Sequence, residues 1–299
     1  MHSHMIIKEI NAKSVITKTD IPVCDYAVNP YVGCTHGCKY CYASFMKRFT
    51  NHPEPWGEFL DVKYWPEIKK PEKYAGKELF FGTVTDPYNP QEEQYRRTRS
   101  LLEQLQGSGV KITIQTKSDM VLRDIDLLQT FPDIRVGFSI NTLDETFRAD
   151  MDKAVSIERR LAAMKALHEA GIRTTCFISP IFPELTDVPS IINRVKDQCQ
   201  LIWLENLNLR GSYKTVILDY IKEKHPELLS LYQEIYQKGN RGYWELLDLE
   251  LKAYAAEAGL DYVVNDDSMR RPFAAPPVIV NYFYHESIKK SAKKGKDGE

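Results

Sequence analysis

The stretch Ala27-Val28-Asn29-Pro30-Tyr31-Val32-Gly33-Cys34-Thr35-His36-Gly37-Cys38-Lys39-Tyr40-Cys41-Tyr42 sets an extended apolar run directly ahead of a loop carrying three cysteines. Three thiolates can hold three irons of a [4Fe–4S] cube and leave the fourth iron without a protein ligand, open to a chelating small molecule. A cluster with an open iron is reactive rather than purely structural.

Outward from this loop, β-branched or aromatic runs alternate with helical patterns, which predicts parallel strands joined by crossover helices. Strands are expected at Ala27–Val32, Glu78–Val84, Val110–Thr116, Ile134–Ile140, Ile172–Ser179 and Leu201–Asn206. Helices are expected at Lys39–Phe49, Glu92–Gln106, Val121–Thr130, Ile157–Ala170, Pro189–Gln198 and, as a longer pair, from Thr215 onward. In the fourth, Leu161, Met164, Leu167 and His168 recur at helical spacing, and Gly171 sits where a left-handed C-terminal residue belongs. Met164 is therefore read as core.

The α/β alternation fits a partial (β/α)6 TIM-like barrel, with function gathered on loops at the C-terminal strand ends. The cysteine loop follows the first strand, as that rule requires. Residues 1–24 read as an N-terminal extension, whose first four residues look like an added leader before a native Met5. Residues 25–212 form the barrel. Within it, Asn51–Gly76, rich in proline, reads as a loop insertion packed over the barrel. Residues 213–287 read as a helical and irregular extension whose apolar end, Pro276–Tyr284, closes the barrel's side or mouth. Residues 288–299 form a basic, disordered tail.

The chain is 43% hydrophobic and 27% charged, with a formal net charge of −1, the composition of an ordinary soluble enzyme. Balanced charge offers no global case for nucleic-acid binding. No apolar stretch approaches the roughly 20 residues needed to cross a bilayer, so no membrane contact is expected. Six cysteines in 299 residues are too sparse for a disulfide scaffold, which predicts a reducing, cytoplasmic setting. Zinc is the competing use of the loop, with His36 or Cys24 as fourth ligand. Closed zinc sites usually pair two cysteine knuckles, and only one cluster is present. His36 otherwise reads as loop structure. Cys24 and Cys176 read as small apolar side chains, and Trp203, Tyr262 and Tyr282–Tyr284 as packing.

With Tyr40 directly before its last cysteine, the loop resembles the signature of the radical S-adenosylmethionine (radical SAM) enzymes. The strings Asn29-Pro30-Tyr31-Val32-Gly33-Cys34, Gly82-Thr83-Val84-Thr85-Asp86-Pro87-Tyr88, Thr116-Lys117-Ser118 and Arg160-Leu161 occur in the order seen in the spore photoproduct lyase-like branch. Within that branch the chain is similar to the mobile pair protein B group. The likeness runs from about Val28 to Arg210. It implies a [4Fe–4S] cluster on Cys34, Cys38 and Cys41, bound S-adenosyl-L-methionine, and reductive cleavage to a 5′-deoxyadenosyl radical that acts on an unidentified substrate. It also implies an electron donor such as flavodoxin or ferredoxin, and allows a second radical SAM protein as partner.

Carried over residue by residue, the resemblance gives Thr85 and Asp86 to the methionine ammonium, for which they supply oxygen acceptors. Asp86-Pro87 could instead start a turn and cap the next helix. Lys117 would meet the carboxylate as a point charge, or be a solvated strand-end lysine. Ser139 and Asn141 would lie near the ribose hydroxyls and carboxylate, or form a strand end and turn. Arg160 would pair with the carboxylate or with Glu205, or be a surface charge. Glu205 would contact substrate or cofactor, or join an ion pair. Tyr40 would pack by the cluster and offer backbone atoms to adenine, and Tyr42 would handle radicals.

Thr83 stands where the lyases carry the cysteine that returns a hydrogen atom to the product. A hydroxyl O–H bond is too strong for that donor role, so photoproduct repair by that route is not expected. Nucleic acid, a peptide and a small molecule remain alternative substrates. A non-catalytic Fe–S sensor or partner-binding protein is the reading from a different class.

Overall fold

The computed structural model describes residues 5–265 and 278–283. The expected leader before Met5, the basic tail and, of the Pro276–Tyr284 end, Pro276, Pro277 and Tyr284 lie outside the described residues. Among those described are strands β1 (Ile6–Asn11), β2 (Ile16–Lys18), β3 (Tyr26–Val28), β4 (Tyr31–Val32), β5 (Phe59–Tyr64), β6 (Glu78–Phe81), β7 (Lys111–Thr116), β8 (Ile134–Ser139), β9 (Arg173–Ile181), β10 (Leu201–Asn206), β11 (Asp261–Val264) and β12 (Ile279–Phe283).

The main sheet has the order β11-β12-β10-β9-β8-β7-β6-β3-β2 and is parallel except for β2, which pairs antiparallel with β3. From β3 to β10 the neighbours in the main sheet follow chain order, β4 and β5 going to the second sheet, and the sheet forms a partial barrel. Parallel strands are covered on both faces, which is why β8 and β10 are buried along nearly their whole length and β10 opens on the apolar run Leu201-Ile202-Trp203-Leu204. The crossover helix Ile157–Glu169 buries Ile157, Leu161, Met164 and Leu167 on one side, and Ser156 Oγ caps it by accepting from Arg159 N. Met164 and Leu167 are fully buried, each contributing about 2 kcal/mol of transfer free energy.

Several expectations change, among them the helix expected at Lys39–Phe49, which is a 3-10 helix over Tyr42–Phe49, and that at Val121–Thr130, which is a 3-10 turn Asp119–Asp124 followed by a short helix Ile125–Leu128. The first strand is two: β3 joins the main sheet and β4 a second sheet of order β1-β5-β4. Pro30, between them, has no N–H to continue a ladder, and Asn29 turns its side chain to Thr83 and Val84 instead. The insertion is not merely a loop, because β5 lies within it and pairs in parallel with β1. The helix expected over 92–106 breaks at Arg96, which takes a left-handed φ of 49°. There the buried Glu92 carboxylate accepts from Thr98 N at 2.9 Å and Arg99 N at 3.2 Å, so it caps the second piece, Arg97–Leu105. At the other end, the described part of the apolar terminus is β12. It extends the sheet by pairing in parallel with β10, and β11 follows outside it.

Candidate active site

The C-terminal ends of β6, β7, β8 and β10 and the loop after β4 bring most of the expected site residues to one edge of the sheet. Gly33 opens that loop at φ +91°, where a Cβ would fall 2.4 Å from the Phe59 carbonyl oxygen, so only glycine fits. Backbone bonds brace the cysteines: Cys41 N to Cys38 O at 3.1 Å, Lys39 N to Met151 O at 2.9 Å, and Lys153 N to His36 O at 2.8 Å.

All three thiols are unpaired by disulfide. Burial, then the neighbouring Cys38, Asp86 and Cys41 charges, push the Cys34 thiol well up. Burial raises Cys38 to about 11 against the opposing pull of Lys117. The sulfurs therefore feel each other's charge, and a polynuclear cation relieves both penalties. Among the described residues, no three His, Cys, Asp or Glu side chains converge on a point that would grip a single metal ion. A closed zinc site needs four ligands around one point. A cube instead spreads its three protein sulfurs over separate irons. Thr35 Oγ1, His36 Nδ1 and Trp56 Nε1 are buried without a completed hydrogen bond, and Thr35 and His36 belong to the loop itself. Orphaned polar atoms and mutually repelling thiols both fit a sulfur-rich, iron-bearing group. The proposed zinc partners lie elsewhere: His36 Nε2 bonds Asp86 Oδ2 at 3.0 Å, and Cys24 packs with Phe80, Leu201 and Trp203.

Asp86 ties the loop to the strand ends. Besides His36, its carboxylate accepts from Thr116 Oγ1 at 2.7 Å, Lys117 N at 2.8 Å and Tyr88 N at 2.8 Å. Burial opposes its charge, but His36 and these donors outweigh it and hold the carboxyl below its usual range. The turn-forming role of Asp86 is thus present, through Tyr88 N. Thr85 Oγ1 donates to Gly33 O at 2.5 Å, and Thr83 Oγ1 accepts from Asn29 Nδ2 at 2.8 Å.

Lys117 is not solvated. Its Nζ lies 3.4 Å from Cys38 Sγ and 3.0 Å from Asp152 Oδ2, and it donates to Tyr40 Oη. Burial penalises this ammonium, yet Cys38, Tyr40 and Asp152 outweigh burial and raise its pKa well above the usual value. Arg160 is neither a surface charge nor a partner of Glu205. It is fully buried and bonds Asp152 Oδ1 at 2.8 Å, Val155 O at 2.9 Å and Ser139 O at 3.1 Å. The exposed neighbour is Arg159, paired with Asp119. Desolvation forces such a buried guanidinium to find a carboxylate and carbonyls nearby. Glu205 accepts from Ser179 Oγ at 2.7 Å and Trp203 Nε1 at 3.0 Å.

Ser139 Oγ accepts from Gln115 Nε2 at 3.0 Å, and Asn141 Nδ2 reaches Pro180 O at 3.3 Å. Tyr40, within the loop, is buried edge-on to Phe182 at 5.5 Å. Tyr42 is 59% exposed and donates from its hydroxyl to Thr83 O, which links these two residues at the rim. Asp152, Gln115, Asn29 and Trp56 were not anticipated. Asn29 lies inside a recognised string, so it was the one with a signal. Asp152 follows a short helix, Glu145–Met151, that has no marked periodicity in the sequence.

Comparison with known proteins gives this arrangement its family. The radical SAM superfamily matches residues 28–192, more than half of the chain. The chain belongs to that superfamily, and it is an enzyme of that class. An uncharacterized protein of Methanocaldococcus jannaschii is 38% identical over 229 residues, covering 76% of this chain and 86% of the relative. A Pseudomonas phage M6 protein named radical SAM Nalpha-GlyT isomerase is 25% identical over 158 residues, 52% of this chain and 32% of the relative. A spore photoproduct lyase variant with a dinucleoside spore photoproduct superposes at a TM-score of 0.57 and 16% identity, covering 73% of this chain and 67% of that one. That likeness concerns the fold. Membership of the superfamily implies a [4Fe–4S] cluster and S-adenosylmethionine cleavage. Among the described residues no helix is long and apolar enough to cross a membrane.

Proposed function

We propose that Cys34, Cys38 and Cys41 hold a site-differentiated [4Fe–4S] cluster at which S-adenosylmethionine is reductively cleaved, and that the enzyme acts on a substrate at the rim near Tyr42 and Thr83. When bound, the pair supplies homolysis of the sulfonium–C5′ bond and a 5′-deoxyadenosyl radical; the protein supplies placement. The observation that carries this reading is one loop of three free thiols at the C-terminal edge of a parallel sheet, with the Lys117 ammonium 3.4 Å from Cys38 Sγ. Lys117 screens the thiolate charge. Asp86 anchors the loop through His36, and Arg160 with Asp152 fixes Lys117. Ser139, Asn141 and Glu205 remain as the polar groups to orient the cofactor, with Thr85 holding Gly33.

Photoproduct repair is the weaker alternative, because the Thr83 hydroxyl is held by Asn29 and is no hydrogen-atom donor. The sparse cysteine content of the sequence supports a cytoplasmic setting, and the family resemblance a low-potential donor such as flavodoxin or ferredoxin. A second radical SAM protein as partner follows from the family resemblance alone.

The test is anaerobic. The protein is reconstituted with iron and sulfide, given S-adenosylmethionine and dithionite, and assayed for 5′-deoxyadenosine beside the Cys34→Ala/Cys38→Ala/Cys41→Ala variant. Product from the wild type alone is expected. An intact cluster that never yields product, with or without cell extract, would favour a non-catalytic Fe–S sensor.

A further inference from the structure

The insertion expected only to cover the barrel is pinned hard against the cysteine loop. A Cβ on Gly57, at φ +99°, would stand 3.0 Å from Gly37 Cα, and one on Gly33 would strike the Phe59 carbonyl oxygen at 2.4 Å. Both glycines thus mark places where the two backbones nearly touch. Between them, the buried His52 ring lies flat on Phe59 at 3.9 Å and bridges Glu54 Oε2 at 2.9 Å to Asp61 Oδ1 at 2.8 Å. Trp56 sits inside this clamp, edge-on to Phe59 at 5.8 Å.

The Trp56 ring is only partly buried, but its nitrogen is inside and completes no hydrogen bond. An indole N–H is a donor only, and leaving it buried without an acceptor is unfavourable. Its donor stands beside the Cys41 sulfur, short of a completed bond. Trp65 Nε1 is also orphaned, yet its ring is covered by the Arg97 guanidinium at 4.3 Å.

We propose that Trp56 belongs to the cluster site, its indole N–H donating to the sulfur shell at Cys41 and so raising the reduction potential of the cluster. A donor to a cluster sulfur stabilises the more negative, reduced state. Indole does not titrate in the working range, so this contribution is constant with pH. The proposal rests on the cluster reading of Cys34, Cys38 and Cys41.

The experiment is a dye-mediated anaerobic redox titration, followed by EPR, of reconstituted wild type, Trp56→Phe and Trp56→3-benzothienylalanine. The last keeps the bicyclic shape and lacks the N–H. Iron and sulfide are measured in each. The expected result is equal cluster content, with midpoint potentials of both variants displaced to more negative values and an exchangeable-proton coupling lost from the reduced spectrum. Unchanged potentials with intact clusters would overturn the proposal while leaving the cluster reading standing. No cluster in the wild type would overturn both. Should Trp56→Phe fail to hold the cluster, the benzothienyl variant decides by the same criterion.

Discussion

The Asp152 carboxylate lies 3.0 Å from the Lys117 ammonium, and both are buried beside the cysteine loop. Its second oxygen takes the buried Arg160 guanidinium at 2.8 Å, so one carboxylate balances two cations. Burial works against the charge on Asp152, but Lys117 and Arg160 outweigh it and hold the carboxyl far below its usual range. Asp152→Asn leaves both cations uncompensated and is expected to destabilise the protein by about 3–5 kcal/mol, read from urea unfolding. Adding Lys117→Met should recover part of that loss, which a double-mutant cycle measures.

Gly33→Ala is expected to be worse than an ordinary glycine replacement. It combines a positive φ with a 2.4 Å contact to backbone that cannot move aside cheaply. A loss of at least about 1–3 kcal/mol from the strained dihedral alone is expected, with reduced iron retention after reconstitution. Gly76→Ala, at φ +68° with nothing within 4 Å of the added carbon, serves as the comparison and should keep its iron.

Part of the acid sensitivity, beside that of Asp86 and Asp152 in the site, should trace to the ion-pair network of Asp124. Burial opposes the charge on Asp124, but Arg123 and Arg99 outweigh it and lower its pKa. A depressed carboxylate contributes stability that is present above its unfolded pKa of about 3.9 and lost as pH falls through the lower folded value. Unfolding free energy should therefore drop below about pH 4. In Asp124→Asn that acid-dependent part of the drop should be smaller, as measured by urea titrations at several pH values.

Met164→Ala should cost about 2–5 kcal/mol, because the side chain is fully buried under the sheet and its removal leaves a cavity. Cluster content and 5′-deoxyadenosine formation at low temperature should be retained, since Met164 is an apolar core residue of its helix and none of the polar groups of the site.

Local pattern was enough for the parallel strands β6 to β10, for the capped helix ending before Gly171, and for the thiol loop at a strand end. Each depends on periodicity or spacing within about 15 residues, the range over which pattern is informative. What only the tertiary structure decided was the company each polar residue keeps. Asp86 and Arg160 match family positions in sequence, yet Asp86 is bonded to His36, 50 residues away, and Arg160 to Asp152 rather than to Glu205. A buried charge takes whichever partner packing brings within reach, because desolvation penalises every alternative that leaves it unpaired. The same holds for the proline-rich insertion: its composition read as loop, and only the pairing of β5 with β1 and the contact of Gly57 with Gly37 brought Trp56 to the cysteines. The sequence alone determined which atoms could hold iron, since thiolates at that spacing have few other uses; the surroundings of those atoms came from segments distant in the chain, whose approach no local periodicity encodes.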